Sequence, residues 1–133
     1  METKVYEDEW HGTSSRDIEY TTSDPRRVAE SIDKLDGQVK TSVSLARGDD
    51  MLCIGGGNDG RYMAYFAHNI DEQLFNLVNA DVKASGDEVK IVTGGQAGLF
   101  SQRASLDKKS VVEAASHFVA TGEMAPHLAW DKG

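Results

Sequence analysis

The stretch MLCIGGGNDGRYMAYF, residues 51–66, has residue types and spacing that could support chemistry. Three consecutive glycines, Gly55–Gly57, follow an apolar run, as in loops that bind phosphate through backbone N–H groups. A nucleotide-triphosphate loop would end in Gly-Lys-Ser/Thr, whereas Gly60 is followed by Arg-Tyr. A dinucleotide-binding loop would open a helix, whereas RYMAYFA is typical of a strand, and Asp59 would repel phosphate. We therefore predict an antiparallel β-hairpin over residues 51–67 that holds no anion.

Other reactive side chains do not form a recognisable site. Cys53 is the single cysteine, which rules out an internal disulfide, and its apolar neighbours predict a buried structural thiol. No G-x-S-x-G or D-x-D-x-D-G pattern occurs, so we predict no catalytic residue, no metal ligand and no cofactor. A zinc site assembled from distant histidines stays open, although their spacing does not favour one. The four histidines are His11, His68, His117 and His127.

The charge distribution points to a protein partner. The formal net charge is −8, and residues 1–24 carry seven acidic and two basic side chains, while residues 49–88 carry eight and two. Nucleic-acid binding needs Lys and Arg to neutralise phosphates, so direct binding of nucleic acid is not expected. An acidic surface suits a basic protein, although for acidic proteins in general solubility alone is the better explanation of such a charge. The acidic N-terminus and the lack of a long apolar run predict a cytoplasmic protein that does not enter a membrane.

Apolar periodicity predicts strands joined by short turns and two helices. The first helix follows a cap at Ser23 or Asp24 and stops at Gly37. The second is DKKSVVEAASHFVATGEM with Gly122 as its C-cap, and it presents one stripe to the core: Val111, Val112, Ala115, Phe118 and Val119. Strands are predicted over residues 4–10, 18–22, 39–45, 51–54, 61–67, 73–78, 88–92 and 99–104 and in the terminal HLAW.

This element order predicts an α+β fold. Residues 1–133 are expected to form one domain, a two-layer sandwich with a mostly antiparallel sheet of about six to eight strands and two helices on one face.

Three segments together resemble the first-numbered family of immunity proteins of bacterial polymorphic toxin systems: LCIGGGNDGRYMAYF, GGQAGLFSQRASL and VVEAASHFVATGEMAPHLAW. The resemblance covers roughly residues 40–131. The family's Val-x-x-Ala-x-x-Phe-x-x-x-Gly helix and its terminal Leu-x-Trp match Val112, Ala115, Phe118, Gly122, Leu128 and Trp130. These positions look architectural. The resemblance implies a small cytoplasmic protein, without catalytic residues, that binds and blocks a toxin, often a nucleic-acid deaminase and sometimes a nuclease.

Toxins that act on nucleic acid need a basic groove, and we predict that carboxylates of this chain cover it. The candidate toxin-binding residues are Glu7, Asp8, Glu9, Trp10, Asp49, Asp50, Asp59, Asp71 and Glu72. Trp10, Tyr62 or Tyr65 would supply an apolar anchor, because aromatic residues dominate binding hot spots. Two other classes stay open, a small enzyme with a loop-built site and a regulatory or structural subunit. Composition leaves the choice between monomer and dimer open as well.

Overall fold

A computed structural model describes residues 2–70, 72–82 and 87–133. In these residues the helices are α1 Pro25–Asp33 and α2 Lys108–Thr121. The strands are β1 Thr3–His11, β2 Ser14–Thr22, β3 Ser42–Arg47, β4 Asp50–Gly56, β5 Tyr62–His68, β6 Gln73–Val78, β7 Glu88–Thr93, β8 Gln96–Ser101 and β9 Ala129–Lys132. Neither described helix is long and apolar enough to pass through a bilayer.

Seven strands form one antiparallel sheet in the order β2-β1-β3-β4-β5-β6-β9, and β7 pairs with β8 in a separate hairpin. With two helices this is the predicted α+β class, which is confirmed. The hairpin predicted over residues 51–67 is also confirmed, since Met51 pairs with Ala67 and Gly56 with Tyr62. One turn of 3-10 helix, Asn58–Gly60, joins its strands. The terminal edge strand, predicted over HLAW, is β9, which begins two residues later at Ala129, and its Trp130 packs partly buried against the core.

Local signals explain both helices. In α1 the side chain of Asp24 caps the N-terminus by accepting the N–H of Arg26. In α2 Asp107 accepts the N–H of Ser110, and Gly122 is the C-cap. Arg47 adds a long-range cap, because its guanidinium donates to the last carbonyls of α2, those of Phe118 and Val119, at 3.0 and 2.9 Å.

Several predicted boundaries are wrong. Helix α1 ends at Asp33 rather than near Gly37, because Asp36 accepts three backbone N–H groups and shapes a turn there. Strand β3 begins at Ser42 rather than Val39, since the N–H of Thr41 binds the Asp8 side chain and those of Val39 and Lys40 bind Asp36 instead of a strand. Strand β2 begins earlier, at Ser14, and residues 102–104, predicted as strand, form a 3-10 turn. In α2 the buried stripe includes Ala114, whereas Val112 is only partly buried.

The core lies between the two helices and one face of the large sheet. One row across that face consists of Val5, Leu45, Leu52 and Phe66, and the ring of Phe118 meets Phe66 edge-on at 6.1 Å. Because side chains alternate along a strand, the intervening residues face the other way. We call this opposite side the open face, and one row across it is Glu19, Tyr6, Ser44, Cys53, Tyr65, Asn76 and Asp131.

Candidate functional site

The structure separates the candidate acids into three groups, while Asp71 lies outside the described residues. The first group is on β1, the second lies at two adjoining turns beside the starts of β4 and β6, and the third is Asp59 at the opposite end of the β4–β5 hairpin. The turn and β1 positions therefore do not form one continuous acidic patch.

The carboxylate of Asp8 is hydrogen-bonded to several groups within the chain. It is 8% exposed, and its carboxylate accepts the N–H groups of Thr41 at 2.7 Å and Ser42 at 2.9 Å. It also accepts the indole N–H of Trp10 at 2.8 Å and the hydroxyl of Thr41. Burial alone would raise the pKa of Asp8, but these hydrogen bonds from Thr41, Ser42 and Trp10 stabilise the charged form and lower the pKa below its usual value. Asp8 is therefore an ionised carboxylate that holds the segment before β3 against β1.

The two flanking glutamates are also paired inside the chain. Glu7 is on the helix side of the sheet, where it accepts the hydroxyl of Ser31 and lies 3.2 Å from the Lys40 ammonium. Glu9 accepts hydrogen bonds from His11 at 3.0 Å and Arg16 at 2.8 Å, and these lower its pKa to about 2. The carboxylates of β1 consequently contribute negative potential while most of their hydrogen-bonding capacity is used within the fold.

Trp10 joins the small hairpin to the large sheet. Its ring lies against Gly95 of the β7–β8 turn, where an added Cβ would be only 2.1 Å from an indole carbon. The N–H of Gly95 donates to the Thr41 hydroxyl at 2.9 Å, and that hydroxyl in turn donates to Asp8. Only glycine leaves room for the indole here, so packing explains Gly95, the second glycine of the Gly94-Gly95 pair.

The bonding of Asp8 leads to a testable pH dependence. Replacing Asp8 with Asn keeps the volume but puts an amide donor against donors, and we expect a loss of about 2–4 kcal/mol at neutral pH. Because the folded-state pKa is lowered, the stabilisation by Asp8 is present above its unfolded-state pKa and is lost as the pH falls below about 4. Urea unfolding between pH 3 and 7 should therefore show a smaller acid-dependent loss for Asp8→Asn than for the parent chain. The exposed Asp87→Asn serves as the control, and an Asp8→Asn curve parallel to it would contradict the assignment.

The second acidic group lies where two turns meet. The N–H of Ile70 donates to the carbonyl of Asp49 at 2.9 Å, which brings the β3–β4 and β5–β6 turns together. The carboxylate of Asp50 accepts the N–H of Asn69 at 3.0 Å and pairs with the His68 ring at 2.8 Å, and Glu72 bonds the Asn69 amide. Asp49 and Glu72 are exposed, and the Ile70 side chain between them is 75% exposed. Carboxylates here surround an exposed apolar residue.

Asp59 is isolated from that group. It is exposed in the left-handed region at φ 56°, in the turn at the far end of β4. A shallow cavity of about 370 Å³ beside it is lined by residues that include Arg61 and Asp107.

The histidines do not gather. Rings of His117 and His127 lie 6.1 Å apart, and His127 is 3.5 Å from Glu113, but His11 and His68 are on different strands. Within the described part of the chain, no three His, Cys, Asp or Glu side chains are grouped to hold a metal ion.

The open face contains Tyr65, one of the predicted apolar anchors, and several residues that were not predicted. Tyr6 and Met51 are half-buried there like Tyr65, together with the exposed acids Asp17 and Glu19. Tyr62, by contrast, faces the core and is buried, which leaves little of it for a partner. The alternation of β1 and β5 contained this signal, because it assigns Tyr6 and Tyr65 to the side away from the core.

One comparison with known proteins identifies a family for this chain. The model of the family described as Immunity protein Imm1 matches residues 9–132. The chain therefore belongs to the Imm1 immunity protein family. Comparisons with curated proteins and with solved structures found no match.

Proposed function

We propose that this protein binds a toxin domain that acts on nucleic acid, a deaminase or a nuclease, and blocks it by covering the basic active-site groove. The observation that carries the proposal is the family match over residues 9–132, because an immunity protein has a toxin as its partner. The net charge of −8 supports a basic partner, since opposite potentials accelerate association and disfavour wrong partners. We place the encounter in the cytoplasm, where such a toxin would find its nucleic-acid substrate.

The proposal assigns the leading role in attraction to Asp49, Asp50 and Glu72. These carboxylates lie at adjoining turns, and two of them are exposed. Exposed charges at the edge of an interface mainly change the association rate, whereas the internally bonded Glu7 and Asp8 would contribute through long-range potential. Asp59 lies at the other end of the hairpin and is assigned a separate, smaller role.

The proposed protein acts by binding its partner rather than by catalysing a reaction. The lowered pKa values of Asp8 and Glu9 are explained by hydrogen bonds within the fold, which Asp8 accepts from Thr41, Ser42 and Trp10 and Glu9 accepts from His11 and Arg16. Such shifts often mark catalytic groups, but structural networks produce them too.

Charge reversal at the adjoining turns tests the proposal. We expect the fourfold Lys variant of Asp49, Asp50, Asp71 and Glu72 to associate with the toxin domain encoded beside this gene at least about tenfold more slowly at low salt. Surface binding kinetics measure the rate, and rising salt should slow the parent chain more than the variant. The matched control reverses four exposed acids elsewhere: Glu30, Asp81, Asp87 and Glu88.

Two results would contradict the proposal in different ways. Equal association rates for the folded variant, its control and the parent would show that the turn acids serve solubility only. Failure of the parent chain to bind or to protect cells that express the neighbouring toxin domain would refute toxin neutralisation itself.

A further inference from the structure

We propose that the open face of the seven-stranded sheet is the docking surface for the toxin, and that the cavity between Tyr6 and Met51 receives a lysine or arginine side chain of that toxin. This inference rests on the proposed function for the nature of the partner. The location and the chemistry of the cavity come from the residues of this chain.

The composition of the open face is unlike that of a merely solvated sheet face. An antiparallel sheet with one face in water usually alternates apolar residues inside with polar residues outside. Here β4 and β5 place Met51, Met63 and Tyr65 on the outer side, half-buried, and β1 adds Tyr6. Tyr and Met are enriched in protein–protein interfaces, and flexible Met side chains adapt to the shape of a partner.

The cavity on this face is sized and charged for one basic side chain. Its volume is about 310 Å³, and its lining residues include Tyr6, Met51 and three acids, Glu7, Asp8 and Asp17. The Asp8 carboxylate already accepts four hydrogen bonds within the chain, so it contributes negative potential to the cavity, while the exposed Asp17 can bond a cation directly. An aliphatic stem could lie along Tyr6 and Met51 while its cationic end reaches Asp17.

The pairing of Asp8 with Asp17 is the feature that most needs a cation. They are direct cross-strand partners in the β1–β2 register. Like charges directly opposite each other destabilise an antiparallel pair, so this arrangement costs the free chain stability. An ammonium or guanidinium group bound at Asp17 would reduce that repulsion and gain a charge-assisted hydrogen bond.

Of the acids around the open face, those at the adjoining turns carry the attraction. The acids that end the row of Tyr6 and Tyr65 are paired within the chain, since Glu19 lies 3.9 Å from the Lys4 ammonium and Asp131 accepts a hydrogen bond from Arg103 at 3.0 Å. A second cavity, about 180 Å³, connects the open face to the adjoining turns through Met51 and Ala67 to Asp49, Asp50 and Ile70. The turn acids that attract the toxin thus border the face that would hold it. The helix layer on the other side begins its two helices with basic residues: Arg26, Arg27, Lys108 and Lys109.

Thiol protection distinguishes this docking surface from others. Cys53 is the single cysteine, lies in the middle row of the open face and is half-buried. In the complex with the neighbouring toxin domain, its reaction with N-ethylmaleimide should slow at least about tenfold. Leu74→Cys in a Cys53→Ser chain provides a more accessible reporter on the same face, since Leu74 is 37% exposed. Ala120→Cys in the same background is the control. Ala120 is an exposed residue of α2, so its thiol should react at the same rate in the free chain and in the complex.

Replacing Asp17 with Asn tests the cavity itself. Removal of the like-charge pair should raise the melting temperature of the free chain, yet it should weaken the complex at least about tenfold, mainly through faster dissociation. If Asp17 were merely solvated, its replacement would change neither the melting temperature of the free chain nor the affinity of the complex. Glu30→Gln, on α1, is the matched control and should leave both unchanged.

The outcomes separate the two proposals. A complex that forms while both open-face thiols react as fast as in the free chain overturns the docking surface and leaves toxin binding intact. Full affinity of the Asp17→Asn variant overturns the cation pocket. No complex with the parent chain refutes the proposed function rather than the assignment of the face.

Discussion

Phe118→Ala is expected to lower the free energy of unfolding by about 3–5 kcal/mol, the range for truncating a buried phenylalanine. Phe118 is 1% exposed in the last turn of α2, and its ring meets Phe66 of β5. Removing it deletes contacts on the helix and the sheet together and leaves a cavity where these two layers meet. Urea or guanidinium denaturation monitored by circular dichroism gives the change directly.

Val112→Ala is the control on the same helix. Val112 is only partly buried, so its truncation should cost about 1 kcal/mol. An unchanged denaturation midpoint for Phe118→Ala, or equal losses for the two variants, would show that α2 presents a different face to the sheet.

Gly57→Ala should cost roughly 3 kcal/mol or more, because strain and overlap act together. Gly57 has φ 98°, and a Cβ there would lie 2.3 Å from the carbonyl oxygen of Leu35. Backbone cannot move aside as a flexible side chain can, so the β4–β5 turn would have to separate from the segment that follows α1.

Gly60→Ala in the same turn separates the effect of steric overlap with a neighbouring segment from the effect of a positive φ. Its φ is 68°, but an added Cβ would meet nothing within 4 Å, so only about 1–2 kcal/mol of left-handed strain is expected. Thermal melts of the two variants are sufficient for the comparison. If both melted at the same temperature, the contact with Leu35 would not be what requires glycine at position 57.

Elements with strong local signals were predictable from residues near one another in the chain. Helix α2 has an Asp cap, a continuous apolar stripe and a closing glycine, and these act within a few residues of one another. The hairpin from Met51 to Ala67 likewise follows from two β-prone runs around a glycine-rich turn. The boundary of β3 was predicted wrongly because a distant side chain competes with the local pattern. Asp8 accepts the backbone N–H groups of residues 41 and 42, and the strand begins only at Ser42.

The sequence by itself determined the fold class, the family resemblance, the acidic charge and the hairpin, because periodicity, composition and turn chemistry are local properties. Only the tertiary structure decided what each carboxylate does. Asp8 and Thr41 are 33 positions apart, so nothing near Asp8 in the sequence distinguishes this buried, ionised hydrogen-bond acceptor from the exposed Asp49. Strand register likewise set Asp17 opposite Asp8 and put Tyr6 and Tyr65 on one open face, since pairing depends on the whole sheet rather than on any one strand.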